Sequence, residues 1–414
     1  MNFLLIANND YDGVGQPAVN LCSNLNKKGH KSKLIVLHKF SKNSFVEKVK
    51  RSFFLRVNLY FLNFIKKSFS ELFGFGFSTV HYEEIKNYLD KADVIIIFTF
   101  YKIISNFTLD KILRSKKIVY FRPLDIELAS GGCHFNEKCE KFKQYCKSCP
   151  KIYLNKLINL PLKNQVEKKR IFEKYKPTIF TQNNYVKKLF KKSSVFKNIN
   201  LRPIYLGANN KRNKVYSKYN ARKNLGLNVD EKIILFGAFN LASRVKGGHL
   251  LKETLKILEN KVKNIPEKVR LVTIGNKNEF NFNSSVIDWT HFGLITSNKK
   301  LNLIYRSSDV LVCPSLYCFG PHIVTEALLN DLPVVAYNLG VAQDTVINGK
   351  NGYLVSCYNN YDFAKAIHKT LFTKKTTKVP NDVIKIKKMC SSDFEANSII
   401  KISQADFIKS KSFD

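Results

Sequence analysis

The sequence predicts an α/β protein built as two doubly wound parallel sheets. Strand-length apolar runs alternate with segments of helical periodicity in both halves, which is the mark of successive βαβ units. The longest clean apolar runs, such as VIIIF and KIILF, are strand-length and far short of the roughly 20 residues that a helical membrane crossing needs. At 414 residues, 44% hydrophobic and 13% aromatic, the chain is long enough for two or three domains with ample cores.

NFLLIAN (2–8) opens the chain as a strand followed by a loop, and the absence of a basic segment ahead of it argues against a signal peptide. KSKLIVLHK (31–39), ADVIIIFTF (92–100) and KKIVYFRP (116–123) supply three further strands. Between the first two of these, residues 46–75 mix Phe and Leu with Lys and Arg at helical spacing. That pattern fits either an amphipathic helix packed on its own domain or one lying on an anionic membrane face. A lysine-rich helical hairpin, then KPTIFTQNN (176–184) and LRPIYLGANN (201–210), complete the first half, and the polar KRNKVYSKYN (211–220) reads as a linker. The second series is EKIILFGAFN (231–240), VRLVTIG (269–275), VIDWTHFG (286–293), DVLVCPS (309–315) and LPVVAYN (332–338), with helices between. Residues 391–410 read as a terminal amphipathic helix packing back on the first domain. The expected division is therefore 1–199, 200–390 and a returning helix in 391–414. No short-period repeat is visible.

Charge narrows the partners. With 69 Lys+Arg against 32 Asp+Glu the chain carries +37, which suits a nucleic acid, an anionic membrane surface or a phosphorylated substrate. The lysines are spread along the whole chain among many Asn and Ile, so solvated lysine faces from biased composition explain the charge as well. A nucleic-acid binder should show a compact basic patch interleaved with aromatics, and its common zinc fingers use other cysteine spacings. No nucleic-acid partner is expected.

The chemistry concentrates in the second half. Glu326 is a lone carboxylate in an otherwise apolar helical pattern, inside a strand, loop, helix, strand unit whose loop 315–321 lies where such sheets bind ligands. Upstream, the strand containing Gly237 runs into a loop with Arg244, Lys246, Gly247 and Gly248 at a helix start. Amides at a helix start attract phosphate, glycines permit close approach, and nearby cations add charge-assisted contacts, although a Lys-Gly pair there also serves as a solvated cap. A carboxylate beside such a diphosphate cradle suits the paired hydroxyls of a sugar or ribose.

The first half carries Cys133, Cys139, Cys146 and Cys149, four of the nine cysteines, within seventeen residues, and His134 beside the first. The spacing C-x5-C-x6-C-x2-C can wrap one tetrahedral structural zinc; reduced free thiols or a labile disulfide are the alternatives. Near the amino terminus Gly13 and Gly15 form a G-x-G that turn glycines explain equally well. The third glycine and downstream acid of a dinucleotide fingerprint are absent, which disfavours a nicotinamide enzyme.

GAFNLASRVKGGHLL (237–251), CPSLYCFGPHIVTEALLNDLPVVAYNLG (313–340) and INGKNGYLV (347–355) together resemble the GT-B glycosyltransferase family of retaining, nucleotide-sugar-dependent enzymes (family 4). The resemblance covers both halves. It implies a GT-B fold, two Rossmann-like domains facing across a cleft, with the donor on the carboxyl-terminal domain and the acceptor on the amino-terminal one. It places Arg244 and Lys246 on the donor diphosphate and Glu326, the second acid of an E-x7-E motif, on the ribose. Gly13, Gly15, Gly237 and the loop Cys318, Phe319, Gly320, Pro321, His322, Ile323 and Val324 then face donor or acceptor. Cys318 stands where the first acid of that motif is usual. The segment GGCH…C…C…CP resembles a subgroup that includes transferases for bacterial exopolysaccharide, capsule and O-antigen; there a histidine precedes the aspartate, whereas here Leu124 precedes Asp125. His134 either stands in for it or acts as a ligand or loop brace.

The implied function is transfer of a sugar from a UDP- or GDP-sugar to a lipid-linked saccharide or other hydroxyl acceptor, with retention and with no cofactor or metal required for catalysis. The implied setting is cytoplasmic, on the anionic inner face of the membrane. A catalytically weak or inactive interaction protein on the same fold and a basic nucleic-acid-binding protein are the rival readings.

Overall fold

Two parallel sheets organise the chain. The structure is a computed structural model that describes residues 1–11, 13, 15–53, 55, 57, 76–153, 159–208, 216–317, 319–373 and 379–412. The first sheet contains β1 (Asn2–Asn9), β2 (Lys31–His38), β3 (Val46–Lys48), β4 (Val94–Ile97), β5 (Ile118–Phe121), β6 (Thr178–Thr181) and β7 (Leu201–Pro203), in the order β3-β2-β1-β4-β5-β6-β7. The second contains β8 (Lys232–Asn240), β9 (Val269–Asn276), β10 (Ile287–His291), β11 (Val310–Cys313), β12 (Val334–Tyr337) and β13 (Gly352–Val355), in the order β10-β9-β8-β11-β12-β13. Chain direction across the sheet reverses between β1 and β4 in one and between β8 and β11 in the other. Each sheet is therefore doubly wound, with a ligand-competent switch point at the carboxyl ends of those strands.

Burial explains why these segments are strands. VIII of β4, VLVC of β11 and VVAY of β12 are buried at every position, as required when helices cover both faces of a parallel sheet. In the first core Phe3, Leu5, Val94 and Ile96 meet Leu21, Leu25 and Ile399. In the second, Ile234, Val312 and Val335 meet Leu251, Leu255 and Phe363. Among the described residues no helix is long and apolar enough to cross a membrane.

By its internal packing the chain divides into Met1–Gly207 with Ser392–Asp414, and Ala208–Ser391. The boundary expected at 199/200 falls after Gly207 because β7 pairs in parallel with β6 and so belongs to the first sheet. Helix Ser392–Lys411 belongs to the first unit. Its Glu395 receives Arg122 Nε at 2.7 Å and the Gly207 amide at 2.8 Å, and its Asp406 receives the Tyr120 hydroxyl at 2.7 Å.

Three local readings change. Residues 46–48 of the amphipathic segment form edge strand β3 rather than helix, because Val46 is buried against β2; residues 58–75 of that segment lie outside the described residues. The polar stretch taken as a linker contributes the first turn of helix Lys218–Leu225, capped by the Ser217 side chain on the Asn220 amide. In place of a helical hairpin before β6, the described residues hold the cysteine segment and one α-helix, Leu160–Tyr175.

Candidate functional site

The two loops singled out in the second half meet at the β8/β11 switch point. β8 loses register with β9 between Gly237 and Asn240, an irregularity that bends a strand, and then feeds a 3₁₀ turn, Arg244–Lys246. β11 ends at Cys313 and continues into the buried Pro314 and Ser315. The Leu316 amide donates to the Val245 carbonyl at 2.7 Å. Gly247, at φ 74°, approaches so closely that an added Cβ would stand 1.9 Å from the Pro314 carbonyl oxygen. Only glycine meets both conditions. Arg244 is exposed and Lys246 half-buried on this turn. Behind it starts the 15-residue helix Gly248–Val262, whose first amides and dipole favour an anion.

Helix His322–Leu329 starts beyond the second loop, with Pro321 at its cap. Ile323 packs on Gly237, where an added Cβ would come within 2.4 Å of Ile323 Cδ1. Phe319, Pro321 and Val324 are buried, while Gly320 and His322 are half-buried. Tyr317 adopts φ 50°, an uncommon conformation for a bulky side chain that marks local strain, and its hydroxyl lies 3.1 Å from that of Tyr358. Glu326 Oε2 accepts from the Tyr305 hydroxyl at 2.6 Å. Burial raises the Glu326 carboxyl above its usual range against the lowering effect of that hydrogen bond. Its other oxygen, Oε1, has no hydrogen-bond partner among the described residues. Cys318 lies outside the described residues.

In the first unit, Gly13 sits in an exposed turn with open space around it. Gly15 has a packing reason, since an added Cβ would stand 2.3 Å from Asn9 Oδ1 where helix Gly15–Lys27 starts against the end of β1. After β5, His134 Nδ1 meets Asp125 Oδ2 at 2.5 Å. Glu127 Oε2 accepts from the Tyr101 amide at 3.2 Å, and the buried Lys168 ammonium donates to the Glu127 carbonyl at 2.5 Å. The ligand-type atoms of Asp125, Glu127 and His134 all lie within 4.8 Å of one another. Burial pushes the Glu127 carboxyl up to about 7, with His134 opposing and Asp125 adding to the rise. Through this contact His134 links the cysteine segment to the loop after β5. The four cysteines line one cavity nearby.

Tyr305, the Tyr317–Tyr358 pair and Lys168 were not foreseen. Tyr305 and Lys168 lie on helices remote in sequence from the residues they hold, and the one available cue, a polar group on an otherwise apolar helix face, is shared by many core residues.

Residues 217–387 match the family model of glycosyl transferases group 1. The segment matched to the glycosyl transferases group 1 includes the 244–246 turn, the 314–321 loop and Glu326. Spore coat protein SA of Bacillus subtilis is 31% identical over 152 residues, a stretch covering 34% of this chain and 38% of that protein. The fold is that of GT-B structures. Sucrose-phosphate synthase from Thermosynechococcus elongatus is similar at TM-score 0.69 and 17% identity, across 99% of this chain and 100% of that one. HepE of Anabaena, solved in complex with UDP-glucose, is similar at TM-score 0.63 and 13% identity, across 98% and 100%.

Proposed function

We propose that the chain transfers a sugar from a nucleotide diphosphate sugar to a hydroxyl acceptor. One observation carries this reading: the cationic turn Arg244–Lys246 is fixed by the Leu316–Val245 hydrogen bond and the Gly247 contact against the loop that leads to Glu326. The family match over 217–387 and the UDP-glucose held by HepE support the same ligand class.

In this mechanism the donor diphosphate lies on Arg244, Lys246 and the amides that begin helix Gly248–Val262. The ribose hydroxyls reach Glu326 Oε1 while Tyr305 fixes Oε2, and the sugar packs against residues 317–322. As the glycosidic bond breaks, negative charge grows on the leaving diphosphate, and cations already in place stabilise it without reorganisation; one such donor contributes about 3 kcal/mol. The two side chains supply the charge that a divalent ion supplies elsewhere. The acceptor hydroxyl attacks on the face the leaving group vacates, giving retention. The excess of lysine suits work at the anionic cytoplasmic face of a membrane, on a lipid-linked saccharide for surface polysaccharide.

A panel of UDP- and GDP-sugars screened by thermal shift should reveal one that raises the melting temperature, since a ligand bound only by the folded state must do so. With that donor, Lys246→Ala and Glu326→Gln should each lose on the order of 10²-fold in turnover while melting as the wild type does without ligand. Wild-type rates in either variant would refute the assigned roles. Cys318 and Leu124, which replace an acid and a histidine usual in the resembling family, favour one second reading: donor binding without turnover. Calorimetric binding with neither transfer nor slow donor hydrolysis would establish it.

A further inference from the structure

We propose that Cys133, Cys139, Cys146 and Cys149 hold one structural zinc ion. All four cysteines line a single cavity of about 20 Å³, room for one water- or ion-sized occupant. Phe135, Phe142, Pro150 and Pro161 supply apolar wall. Among the described residues lining it there is no carboxylate, and an all-sulfur set selects zinc over magnesium or calcium.

Hydrogen bonds already engage sulfurs around the cavity. The Gly131 amide donates to Cys146 Sγ at 3.2 Å, and the Cys133 thiol donates to Ser130 Oγ at 3.5 Å. Ser148 turns the C-x2-C pair at φ 48°, and Lys141 clamps that turn through the carbonyls of Lys147 and Ser148 at 3.0 and 2.7 Å. Lys141 and Lys151 border the cavity; Lys151 is paired with Glu137 at 3.2 Å, which leaves Lys141 as the cation whose charge offsets part of the negative charge of a four-thiolate zinc centre. Among the described residues no three of the four sulfurs lie within 4.8 Å of one another, so an ion at about 2.3 Å from each has to draw them in from the cavity wall. Binding releases the thiol protons to solvent.

The segment also needs such a link. Between β5 and helix Leu160–Tyr175 regular structure amounts, among the described residues, to one 3₁₀ turn, Lys141–Lys143. Ile152 is the fully buried centre of a small cluster whose partners are Cys133, Cys149 and Leu160. A stretch with so little core of its own is stabilised by a cross-link. Four thiolates leave no open position for water, so the ion braces and does not catalyse. What it braces is the His134–Asp125 contact after β5.

Full-length protein purified without chelator and weighed for metal by plasma mass spectrometry should hold one zinc per chain. A cobalt-exchanged sample should show a thiolate-to-cobalt charge-transfer band. Cys139→Ser and Cys149→Ser should lose the metal, while Cys357→Ser, an exposed thiol of the other unit, should keep it. If the serine variants do not fold, chelation and zinc return on the wild type give the same answer through loss and recovery of melting temperature. Wild-type protein that stays zinc-free after reconstitution, or whose intact mass is lower by two hydrogens per disulfide, overturns the assignment. None of these readings depends on binding a sugar donor.

Discussion

Glu326 illustrates how one side chain is given a single direction. Tyr305, only 3% exposed, occupies one carboxylate oxygen, Oε2, and fixes the orientation of the group. Tyr305→Phe keeps the ring packing but frees that oxygen, so the carboxylate loses its orientation. We expect donor binding to weaken by about 1 kcal/mol, roughly fivefold, with the melting temperature little changed; unchanged affinity by calorimetry would separate Tyr305 from the site. Gly247→Ala tests the opposite kind of residue, one that matters by lacking atoms. Its Cβ meets the Pro314 carbonyl at φ 74°, so the variant should lose about 1–3 kcal/mol in urea unfolding together with donor affinity. Lys246 and Glu326 were legible in the sequence because each interrupts a pattern, a glycine-rich helix start in one case and an apolar helix in the other. Tyr305 was not. It is one tyrosine among 19 and lies twenty-one positions from its partner, and contact between neighbouring helices leaves no local periodic signal.

Among elements, helix Lys218–Leu225 is fastened to the second sheet by charge. Asp309, the residue before β11, accepts from Lys218 at 2.5 Å, from Arg222 at 2.7 Å and from the Ile233 amide at 2.7 Å. Burial opposes ionisation of Asp309, yet Lys218, the Ile233 amide and Arg222 outweigh it and hold the carboxyl below its ordinary 3.8. A carboxyl lowered by folding stabilises at every pH above its unfolded value, and that contribution fades as pH falls through the lower folded value. Wild type should therefore keep this contribution at pH 7 and lose it below pH 3.8. Asp309→Asn should cost about 3 kcal/mol at pH 7, because it strands a buried cation, and much less in acid; denaturant curves at the two pH values check the difference. The same scale shows why some elements were legible and others not. β4, β11 and β12 announced themselves because strands covered on both faces must be apolar throughout. β3, VEK, buries one residue in three and looks like solvated chain. The start of helix Lys218–Leu225 was taken for linker because its first residues are polar and exposed while the partner of Lys218 and Arg222, Asp309, lies some ninety residues away.

At the scale of the molecule, the first unit is closed by helix Ser392–Lys411. Arg122 at the end of β5 is fully buried and is neutralised by Glu395, with the Tyr205 carbonyl accepting a second bond at 3.0 Å. Glu395→Ala leaves that guanidinium buried without its counter-charge and should cost about 3–5 kcal/mol. Scanning calorimetry should show the melting of the first unit moving down while that of Ala208–Ser391 stays. Equal shifts in both would mean the units unfold as one. The terminal helix was foreseen as amphipathic, yet its buried face mixes Ser392, Glu395 and Ser403 with Ala396 and Ile399; its buried ionic partner was not foreseen, because Arg122 and Glu395 lie in segments that read separately as strand end and helix.

That closure imposes an order on synthesis. Ribosomes make the first sheet early, yet the helix bearing Glu395 emerges only after the whole of Ala208–Ser391 has been translated. At about 5–20 residues per second the nascent sheet waits on the order of tens of seconds with Arg122 unneutralised and the apolar groove for Ala396 and Ile399 uncovered. The amino-terminal half is therefore the part that a ribosome-associated chaperone should hold during translation, and the part that a stalled or truncated chain should lose to aggregation first.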